Sequence, residues 1–430
     1  MTGKRVAVIG AGASGTLQAL HLRRAGARVT LIERGPRPGR GVAYGTRQAE
    51  HLLNVPARRM GAYADRPDHF ARWWADRTDF AATEEDYAPR MVYGDYLTEL
   101  LRDADVPVAR GEAVDIADGA VVLADGARLA ADHVVLAPGN FPPATPRGLD
   151  VAALGEKWID DPWAGGLAGL GKDDTLFLLG TGLTAVDVAL TLEASGFKGR
   201  IVALSRRGLL PRVHGLREPM VAARADLVPA CLPMLRRVRA RTQEVGWRSA
   251  VQELRTVTQW LWEQASEAER RRFLRHLRPW WDVHRHKLAP AIGATIEAMR
   301  LDGRLIVASG RLLSAIPAAG GAEIAFRPRG GDGVERLCAA RLVNCTGPES
   351  DIARAGEPLL DALLASGAIR QDALRVGVDV DLECRAIGAD GAASETLSVI
   401  GPVTRGTFWE SVAVPDIRVQ AAAVAARLCG

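Results

Sequence analysis

One local pattern occurs twice in this chain and constrains the fold more than any other feature. An apolar run at residues 5–9 leads into Gly-Ala-Gly-Ala-Ser-Gly at 10–15, an amphipathic stretch and a second strand-like run that ends at residue 33. The run at 175–179 leads likewise into Gly-Thr-Gly-Leu-Thr-Ala at 180–185, a helical stretch and a strand-like run at 200–205. Strand, glycine turn, helix and strand in this order are typical of a parallel, doubly wound sheet. The repeat therefore predicts an α/β protein with two dinucleotide-binding, Rossmann-like domains.

The first glycine turn has the context that a dinucleotide site requires. Gly10, Gly12 and Gly15 follow a predicted strand and open a predicted helix. Such glycines allow a tight turn and let the backbone approach a pyrophosphate at the helix N-terminus. Glu33 ends the next strand, where a carboxylate accepts hydrogen bonds from the adenosine ribose. The neighbouring residues that we assign to the same site are Ala13, Ser14 and Arg34.

The second glycine turn differs from the first in two informative ways. Ala185 replaces the third glycine, which the fingerprint allows. The next strand ends in Ser205, Arg206 and Arg207, where no acid would repel a 2′-phosphate and an arginine would bind one through bidentate hydrogen bonds. We therefore expect NADPH to be preferred over NADH, although the two arginines also fit an ordinary solvated pair. The remaining predicted residues of this site are Gly180, Gly182, Leu183 and Thr184.

Linker-like segments divide the chain. The proline-rich stretch 142–146 and the glycine-rich stretch 165–171 are typical of connections between domains. We predict a first domain made of residues 1–165 and 345–430, and a second domain made of residues 166–344. Residues from about 221 to 299 are rich in Arg and Trp and helical in pattern, so we predict a helical insertion in the second domain.

Composition argues against several classes of protein. No run approaches the about 20 apolar residues of a membrane span, and residues 1–10 lack the pattern of a signal segment. The five cysteines share no CxxC spacing, which argues against a zinc site and a redox-active disulfide and favours a reducing, cytoplasmic location.

The middle of the chain carries an excess of positive charge. Residues 206–300 contain 19 Lys and Arg against nine Asp and Glu, without any nucleic-acid-binding module. We expect this segment to attract NADPH or an acidic substrate rather than nucleic acid. His284 and His286 lie within it, but no Cys, Asp or Glu set completes a metal site, so we predict no metal. One of these histidines is expected to line a substrate cavity or to pack against a tryptophan.

Longer blocks extend the pattern into a family resemblance. The order of G-x-G-x-x-G, a strand ending in Pro-Gly, G-x-G-x-x-A and a strand ending in Thr-Gly resembles the flavin-containing and N-hydroxylating monooxygenases. The blocks at 39–45, 52–57, 205–211, 280–286 and 401–420 resemble a bacterial group of FAD/NAD(P)-binding proteins, mostly of unassigned function, over almost the whole chain. The resemblance implies that the first domain binds FAD and the second NADPH.

Two features depart from these relatives. The FxGxxxHxxx(Y/F) signature of flavin-containing monooxygenases is missing between the glycine turns, where Phe141 and two prolines follow a Pro-Gly instead. No cysteine pair follows the first turn, which separates the chain from the disulfide reductases with two dinucleotide-binding domains.

The resemblance implies further contacts with the flavin nucleotide. Arg40 is a candidate for binding the FAD pyrophosphate, although a surface turn is an equal alternative. The apolar run 397–400 stops at a turn that meets the flavin in related proteins, and the helix at 414–426 would direct its N-terminus at the ring. Trp409 fits this role or an ordinary core. The other residues assigned to the cofactors are Gly41, Leu53, Val55, Pro138, Gly139, Gly347, Gly401, Pro402, Thr404, Arg405 and Gly406.

Asn54 is the candidate catalytic residue. In the flavin-containing monooxygenases, a similarly placed segment supplies an asparagine beside the flavin ring. The amide would hydrogen-bond a peroxyflavin or the nicotinamide. In the alternative interpretation, Asn54 only caps a turn before Pro56.

These features predict an FAD-dependent, NADPH-using oxidoreductase. The resemblance implies a monooxygenase that uses oxygen and a C4a-hydroperoxyflavin to hydroxylate a nucleophilic N or S of a small, acidic or amino-acid-like substrate. The alternatives are an NADPH-dependent reductase without oxygenation and a flavin-bound sensor or binding protein. We expect no nucleic-acid or membrane partner, and the sequence is compatible with an oligomer.

Overall fold

The computed structural model describes residues 3–78, 83, 85–215 and 222–430. Its strands are β1 (Arg5–Ile9), β2 (Arg28–Glu33), β3 (Val108–Arg110), β4 (Ala113–Ala117), β5 (Ala120–Leu123), β6 (Arg128–Ala130), β7 (His133–Leu136), β8 (Trp158–Ile159), β9 (Thr175–Leu179), β10 (Arg200–Ser205), β11 (Leu305–Ala318), β12 (Gly321–Pro328), β13 (Glu335–Ala339), β14 (Arg341–Asn344), β15 (Arg385–Ile387) and β16 (Ala393–Val399). Its α-helices are α1 (Ala13–Arg24), α2 (Gly41–Tyr44), α3 (His69–Ala75), α4 (Arg90–Asp103), α5 (Val151–Leu154), α6 (Leu183–Ala194), α7 (Cys231–Arg255), α8 (Thr258–Gln264), α9 (Glu267–Arg272), α10 (Arg278–Arg285), α11 (Pro290–Leu301), α12 (Pro358–Ala365) and α13 (Val414–Cys429).

The first sheet joins strands from both ends of the chain. Its order is β15-β16-β7-β1-β2-β3, and all neighbours are parallel except β15 and β16. Val6 in β1 pairs with Val29 on one side and with His133 on the other. Helices α1 and α13 cover one face, where Val8, Leu22 and Val424 are buried together. Such near-continuous apolar strands are expected where a parallel sheet is covered on both faces.

The second sheet has a parallel half and an antiparallel extension. Its order is β13-β12-β11-β10-β9-β14-β8, with parallel pairing from β11 to β8 and antiparallel pairing among β11, β12 and β13. Helices α6 and α11 pack on one face, with Leu178, Val188 and Ile296 in the shared core. The two parallel sheets with helices on their faces confirm the predicted α/β fold with two Rossmann-like domains.

One boundary differs from the sequence-based prediction. Strand β8 lies before the predicted boundary at residue 165, yet its residues pair with β14 in the second sheet. A two-residue strand has too few side chains to produce a recognisable period, so the sequence did not reveal it. The remaining bounds, at residues 344 and 345, stay predictions.

Helices α7 to α11 lie between β10 and β11 in the chain, within the predicted insertion. Residue 221, the predicted start of this insertion, lies outside the described residues. Gly246 has φ +74, which interrupts α7 with a kink. In the part of the chain that the structure describes, no helix has both the length and the hydropathy needed to cross a bilayer.

The first sheet's domain and α6 of the second are joined by polar contacts. His51 is buried, and its Nε2 lies 3.1 Å from the Asp187 carbonyl oxygen and 3.0 Å from Thr191 Oγ1. Arg90 forms an ion pair with the Asp187 carboxylate. Both partners on α6 therefore face the segment between α2 and α4.

Candidate functional site

The first glycine turn is shaped by close packing between α1 and β1. Gly10 has φ +98, and its N–H donates to the Ile32 carbonyl at 2.9 Å. A Cβ at Gly15 would lie 1.8 Å from the Gly10 carbonyl oxygen, so the helix approaches the strand closely only because Gly15 lacks one. Helix α1 begins after Gly12 without a side-chain cap, which leaves its first N–H groups available to an anion.

The Glu33 carboxylate is held beside this turn by two backbone donors. One oxygen accepts from the Ala11 N–H at 2.7 Å and the other from the Gly35 N–H at 2.6 Å. Each carboxylate oxygen can accept a further hydrogen bond. Glu33 is therefore oriented to accept hydrogen bonds from ribose hydroxyls, as the sequence predicts.

A second glycine-rich segment crosses the first. The Gly39 N–H donates to the Ala11 carbonyl at 2.8 Å, and a Cβ at Gly41 would lie 2.9 Å from Gly12 Cα. Between these glycines, Arg40 is four-fifths buried and forms an ion pair with Asp95. Arg40 is therefore not a surface turn residue.

These turns line a cavity of about 290 Å³. The predicted residues that line it are Gly10, Gly12, Ala13, Ser14, Glu33, Arg34, Arg40, Gly41, Pro138, Gly139 and Pro402. Arg34 forms ion pairs at its rim with Glu112 and Glu357. The glycine contacts, the held carboxylate and the free helix N-terminus fit the adenosine diphosphate part of FAD.

The cavity also has lining residues that the sequence did not reveal. They include Tyr44, Asn140, Glu357, Leu360, Val412, Val414 and Ile417. Val414 and Ile417 belong to the first turn of α13. The sequence predicts that the N-terminus of this helix is directed at the flavin, and these two lining residues could have been inferred from that prediction. Tyr44 and Asn140 adjoin predicted site residues, whereas Glu357, Leu360 and Val412 come from segments without a motif.

The C-terminal turn is built around Gly401. Its N–H donates to Gln420 Oε1 at 2.8 Å, and its carbonyl accepts from Thr404 Oγ1 at 2.8 Å. Gln420 Nε2 in turn donates to Thr404 Oγ1 at 3.1 Å. Gly401 and Thr404 thus shape the turn that presents Pro402 to the cavity, while they do not line it themselves.

Three predicted flavin contacts are located elsewhere. Trp409 stacks on Trp262 with ring centroids 4.7 Å apart, and the Arg405 guanidinium lies 4.3 Å from the Trp409 ring centroid. The Gly406 carbonyl accepts from Trp262 Nε1 at 2.8 Å. Burial, with Arg278 nearby, lowers the pKa of Arg405 to about 10. These residues pack against aromatic side chains of the helical insertion. Their packing partners are distant in the chain, so the local sequence does not reveal them.

Asn54 lies outside the dinucleotide cavity, and so do its neighbours Leu53 and Val55. It lines a small cleft against the helical insertion, where its carbonyl accepts a hydrogen bond from His214 Nε2 at 3.0 Å. Its side-chain amide has no hydrogen-bond partner among the described residues, and Ala57 N–H instead donates to the Asp86 carbonyl. Asn54 therefore does not cap the turn before Pro56.

The cleft is strongly cationic. Its lining includes Arg59, Arg255, Arg285 and Lys287, and no Asp or Glu among the described residues that form it. His284 is shared between this cleft and a larger apolar cavity within the insertion, and its ring packs edge-on against Trp247 with centroids 5.0 Å apart. The described residues contain no group of His, Cys, Asp and Glu that could hold a metal ion.

The second glycine turn repeats the geometry of the first. Gly180 has φ +126, and a Cβ there would lie 2.1 Å from the Cys345 carbonyl oxygen. Gly182 is open, because no heavy atom lies within 4 Å of a Cβ placed on it. Helix α6 starts at Leu183, with Thr184 and Ala185 in its first turn and no side-chain cap. Gly347 follows β14, as Gly139 follows β7, and both have positive φ.

Ser205 orients the loop that carries the two arginines. The Gly208 N–H donates to Ser205 Oγ at 3.0 Å, and Thr181 Oγ1 lies 2.8 Å from the same atom. Arg206 is exposed and Arg207 half-buried, and neither forms an ion pair with any residue in the described ranges. Both guanidinium groups are therefore free to bind a phosphate.

Comparisons with known proteins agree with this geometry. Residues 7–141 match the family model described as FAD-NAD(P)-binding. No curated protein sequence matches the chain significantly.

Solved structures share the fold over nearly the whole chain. An ornithine hydroxylase from Pseudomonas aeruginosa is 15% identical over 99% of both chains, with a TM-score of 0.69. An L-lysine 6-monooxygenase from Pseudomonas syringae is 16% identical over 99% of both chains, with a TM-score of 0.67. An ornithine N-hydroxylase from Kutzneria sp. 744, in a structure with reduced FAD, NADP⁺ and L-ornithine, is 13% identical over 99% of both chains, with a TM-score of 0.65. The chain thus has the fold of a two-dinucleotide-binding flavoprotein, and its residues 7–141 match an FAD-NAD(P)-binding family model.

Proposed function

We propose that this protein is an FAD-dependent, NADPH-using monooxygenase that hydroxylates a nucleophilic nitrogen or sulfur of a small molecule. The observation that carries the proposal is the difference between the two turns. Two backbone N–H groups hold the Glu33 carboxylate at the first turn, whereas Arg206 and Arg207, which form no ion pair within the described residues, follow the second. One chain thus has one site suited to FAD and one suited to NADPH. The fold shared with ornithine and lysine hydroxylases supports the same assignment.

The cysteines favour oxygenation over transfer of electrons to a disulfide. All five are free thiols. Burial raises the pKa of Cys345 and of Cys384 to about 12, so both remain protonated at neutral pH. A protonated, buried thiol is a poor nucleophile for thiol–disulfide exchange. Neither Cys345 nor Cys384 is therefore suited to relay electrons to a disulfide substrate.

The residues of this chain supply binding, orientation and a hydrogen-bond donor. When bound, FAD would supply the transfer of electrons from NADPH to oxygen and of one oxygen atom to the substrate. The N-terminus of α1 and the Glu33 carboxylate would hold its adenosine diphosphate part. We assign to the free amide of Asn54 the hydrogen bond that orients the reacting oxygen or the substrate. The cationic lining of the adjoining cleft favours a substrate with an anionic group.

The test measures NADPH oxidation, oxygen uptake and hydrogen peroxide with a panel of primary amines, hydroxyl-free amino acids and thioethers. A monooxygenase should consume NADPH and oxygen in equal amounts with one substrate and release little peroxide. If all the oxygen consumed appears as hydrogen peroxide with every panel member, the result would favour the reductase. A requirement for another electron acceptor would favour it too. Absence of NADPH oxidation would favour a flavin-bound sensor.

A further inference from the structure

The helical insertion forms an apolar cavity that is partly open to solvent and distinct from the dinucleotide cavity. Its volume is about 540 Å³, within the range of small-molecule sites. Helices α7 to α10 form most of its wall, and Trp409 closes it from the C-terminal turn. The aromatic lining residues include Trp247, Trp262, Phe273, Trp281 and Trp409.

This cavity is not the interior of a packed helical bundle. Protein interiors are packed as closely as organic crystals, and the voids that remain are few and small. Leu254, Phe273 and Trp281 line the cavity and are only half-buried, although their positions face one another across the insertion. Apolar surface that stays uncovered in this way is typical of a ligand site. The cavity therefore has the size and chemistry to take an aromatic or branched apolar group.

The cavity borders the cationic cleft at Asn54, which has a volume of about 30 Å³. Val251 and His284 line both spaces, so an elongated molecule could occupy the two together. Arg255 lines the cleft, and its nearest carboxylate oxygen, on Asp416, is 4.0 Å away. Arg285, by contrast, is neutralised by Glu410 at 2.7 Å. Arg255 therefore has a longer carboxylate contact than Arg285.

We propose that the cavity and the cleft form one site for an amphipathic anion, with its apolar body among the tryptophans and its anionic group facing Arg255. Transfer of the apolar body out of water stabilises the complex. A charge-assisted hydrogen bond between the anion and a guanidinium stabilises it further. The assignment of this ligand as the substrate rests on the proposed function, whereas its binding does not. The site adds a preference for a large apolar group to the expectation of an acidic or amino-acid-like substrate.

Titration calorimetry of the FAD-loaded protein tests the site with three probes: naphthylacetate, the neutral naphthylethanol and acetate. The wild-type protein should bind naphthylacetate most tightly, naphthylethanol less tightly and acetate least. Leu235→Trp, which fills the cavity from α7, should weaken both naphthyl probes by about tenfold. Its matched control is Leu232→Trp, on the exposed side of the same helix, which should behave as wild type.

A second pair of variants tests the anionic end. Arg255→Gln should weaken the binding of naphthylacetate by about tenfold, because roughly one charge-assisted hydrogen bond is lost. The binding of naphthylethanol should be unchanged. Unchanged naphthylethanol binding also shows that this variant is folded. Arg236→Gln, at an exposed position of the same helix, is the control and should match wild type.

Two outcomes would overturn the site. One is equal affinity of wild type and Leu235→Trp for both naphthyl probes. The other is displacement of naphthylacetate by saturating NADP⁺, because the cleft would then bind the nucleotide. If the protein binds the probes as expected but oxygenates no amine or thioether, the ligand site is supported and the proposed function is refuted. The two failures are therefore distinguishable.

Discussion

Alanine at Gly12 and alanine at Gly15 should fail in different ways, although both glycines belong to the same turn. Gly12 has φ −72 and ψ −171, a conformation that alanine adopts without strain. Its added methyl would meet only Gly41 Cα, at an ordinary 3.7 Å, and would project into the dinucleotide cavity. The methyl at Gly15 would lie 1.8 Å from the Gly10 carbonyl oxygen, so α1 would have to move away from β1.

The free energies of unfolding should separate the two variants. Without FAD, Gly12→Ala should match or exceed the wild-type stability by up to about 1 kcal/mol, because alanine restricts the unfolded chain. Gly15→Ala should lose about 1–3 kcal/mol or more, the usual result of forcing an extra group into a packed interior. Both should retain less FAD, Gly12→Ala through contact with the pyrophosphate and Gly15→Ala through displacement of the turn.

Two measurements decide this prediction: the flavin-to-protein absorbance ratio after purification, and denaturant unfolding of the FAD-free proteins. Gly12→Val serves as a larger probe of the same position and should leave a colourless protein. Stoichiometric FAD in Gly12→Val would refute the assignment of the site. Equal destabilisation by Gly12→Ala and Gly15→Ala would refute the packing argument.

Three further predictions concern cofactor choice, coupling and pH. Replacing Arg206 and Arg207 with Ala should weaken NADPH binding by about one to two orders of magnitude, because one or two charge-assisted hydrogen bonds are lost, and should leave NADH kinetics unchanged. Equal weakening of NADPH and NADH binding would mean that the arginines do not bind the 2′-phosphate. Asn54→Ala should leave FAD content and reduction by NADPH nearly intact but divert NADPH oxidation to hydrogen peroxide by a factor of about ten or more, since one donor to a developing charge is lost; unchanged coupling would reduce Asn54 to a structural residue. Burial, with Arg427 and Lys4 nearby, lowers the pKa of His133 to about 4. An unfolded histidine has a pKa of roughly 6.5, so the neutral buried His133 contributes its full stabilisation above about pH 6.5. As the pH falls from there towards 4, the free energy of unfolding should decrease by about 1.4 kcal/mol per pH unit. Denaturant unfolding of His133→Asn should therefore depend less on pH than that of wild type, and parallel curves would contradict the assignment.

The fold and the nucleotide turns could be predicted because their signals are local. The spacing of Gly10, Gly12 and Gly15 between a strand and a helix specifies a turn whatever the rest of the chain does. Glu33 and Arg206 could be placed because Glu33 ends the strand after the first turn and Arg206 directly follows the strand after the second. At these positions, the information needed lies within about 30 residues of sequence, the length of one βαβ unit.

The surroundings of the site depend on contacts between distant segments and could not be predicted in the same way. Arg40 was placed correctly beside the cavity, but its ion pair with Asp95 requires α4 to return to the turn. The sequence leaves Trp409 open between the flavin and the core, because its stacking partner Trp262 belongs to the distant insertion; the structure places it in the core. The abundance of tryptophan in the insertion was visible, but the volume enclosed by those rings depends on helix packing. Local patterns carry no information on such packing.

The contacts of His51 and Arg90 with α6 have a consequence for how the two nucleotides can meet. Any tilt that moves α6 away from the first domain would break the Arg90–Asp187 ion pair and remove two hydrogen-bond partners from a buried imidazole. Breaking a buried pair alone typically costs about 3–5 kcal/mol. Because α6 also begins at the second glycine turn, these contacts set the distance between the two turns when the chain folds, before any ligand binds. We therefore expect the contacts of α6 with the first domain to oppose a change in the distance between the two turns.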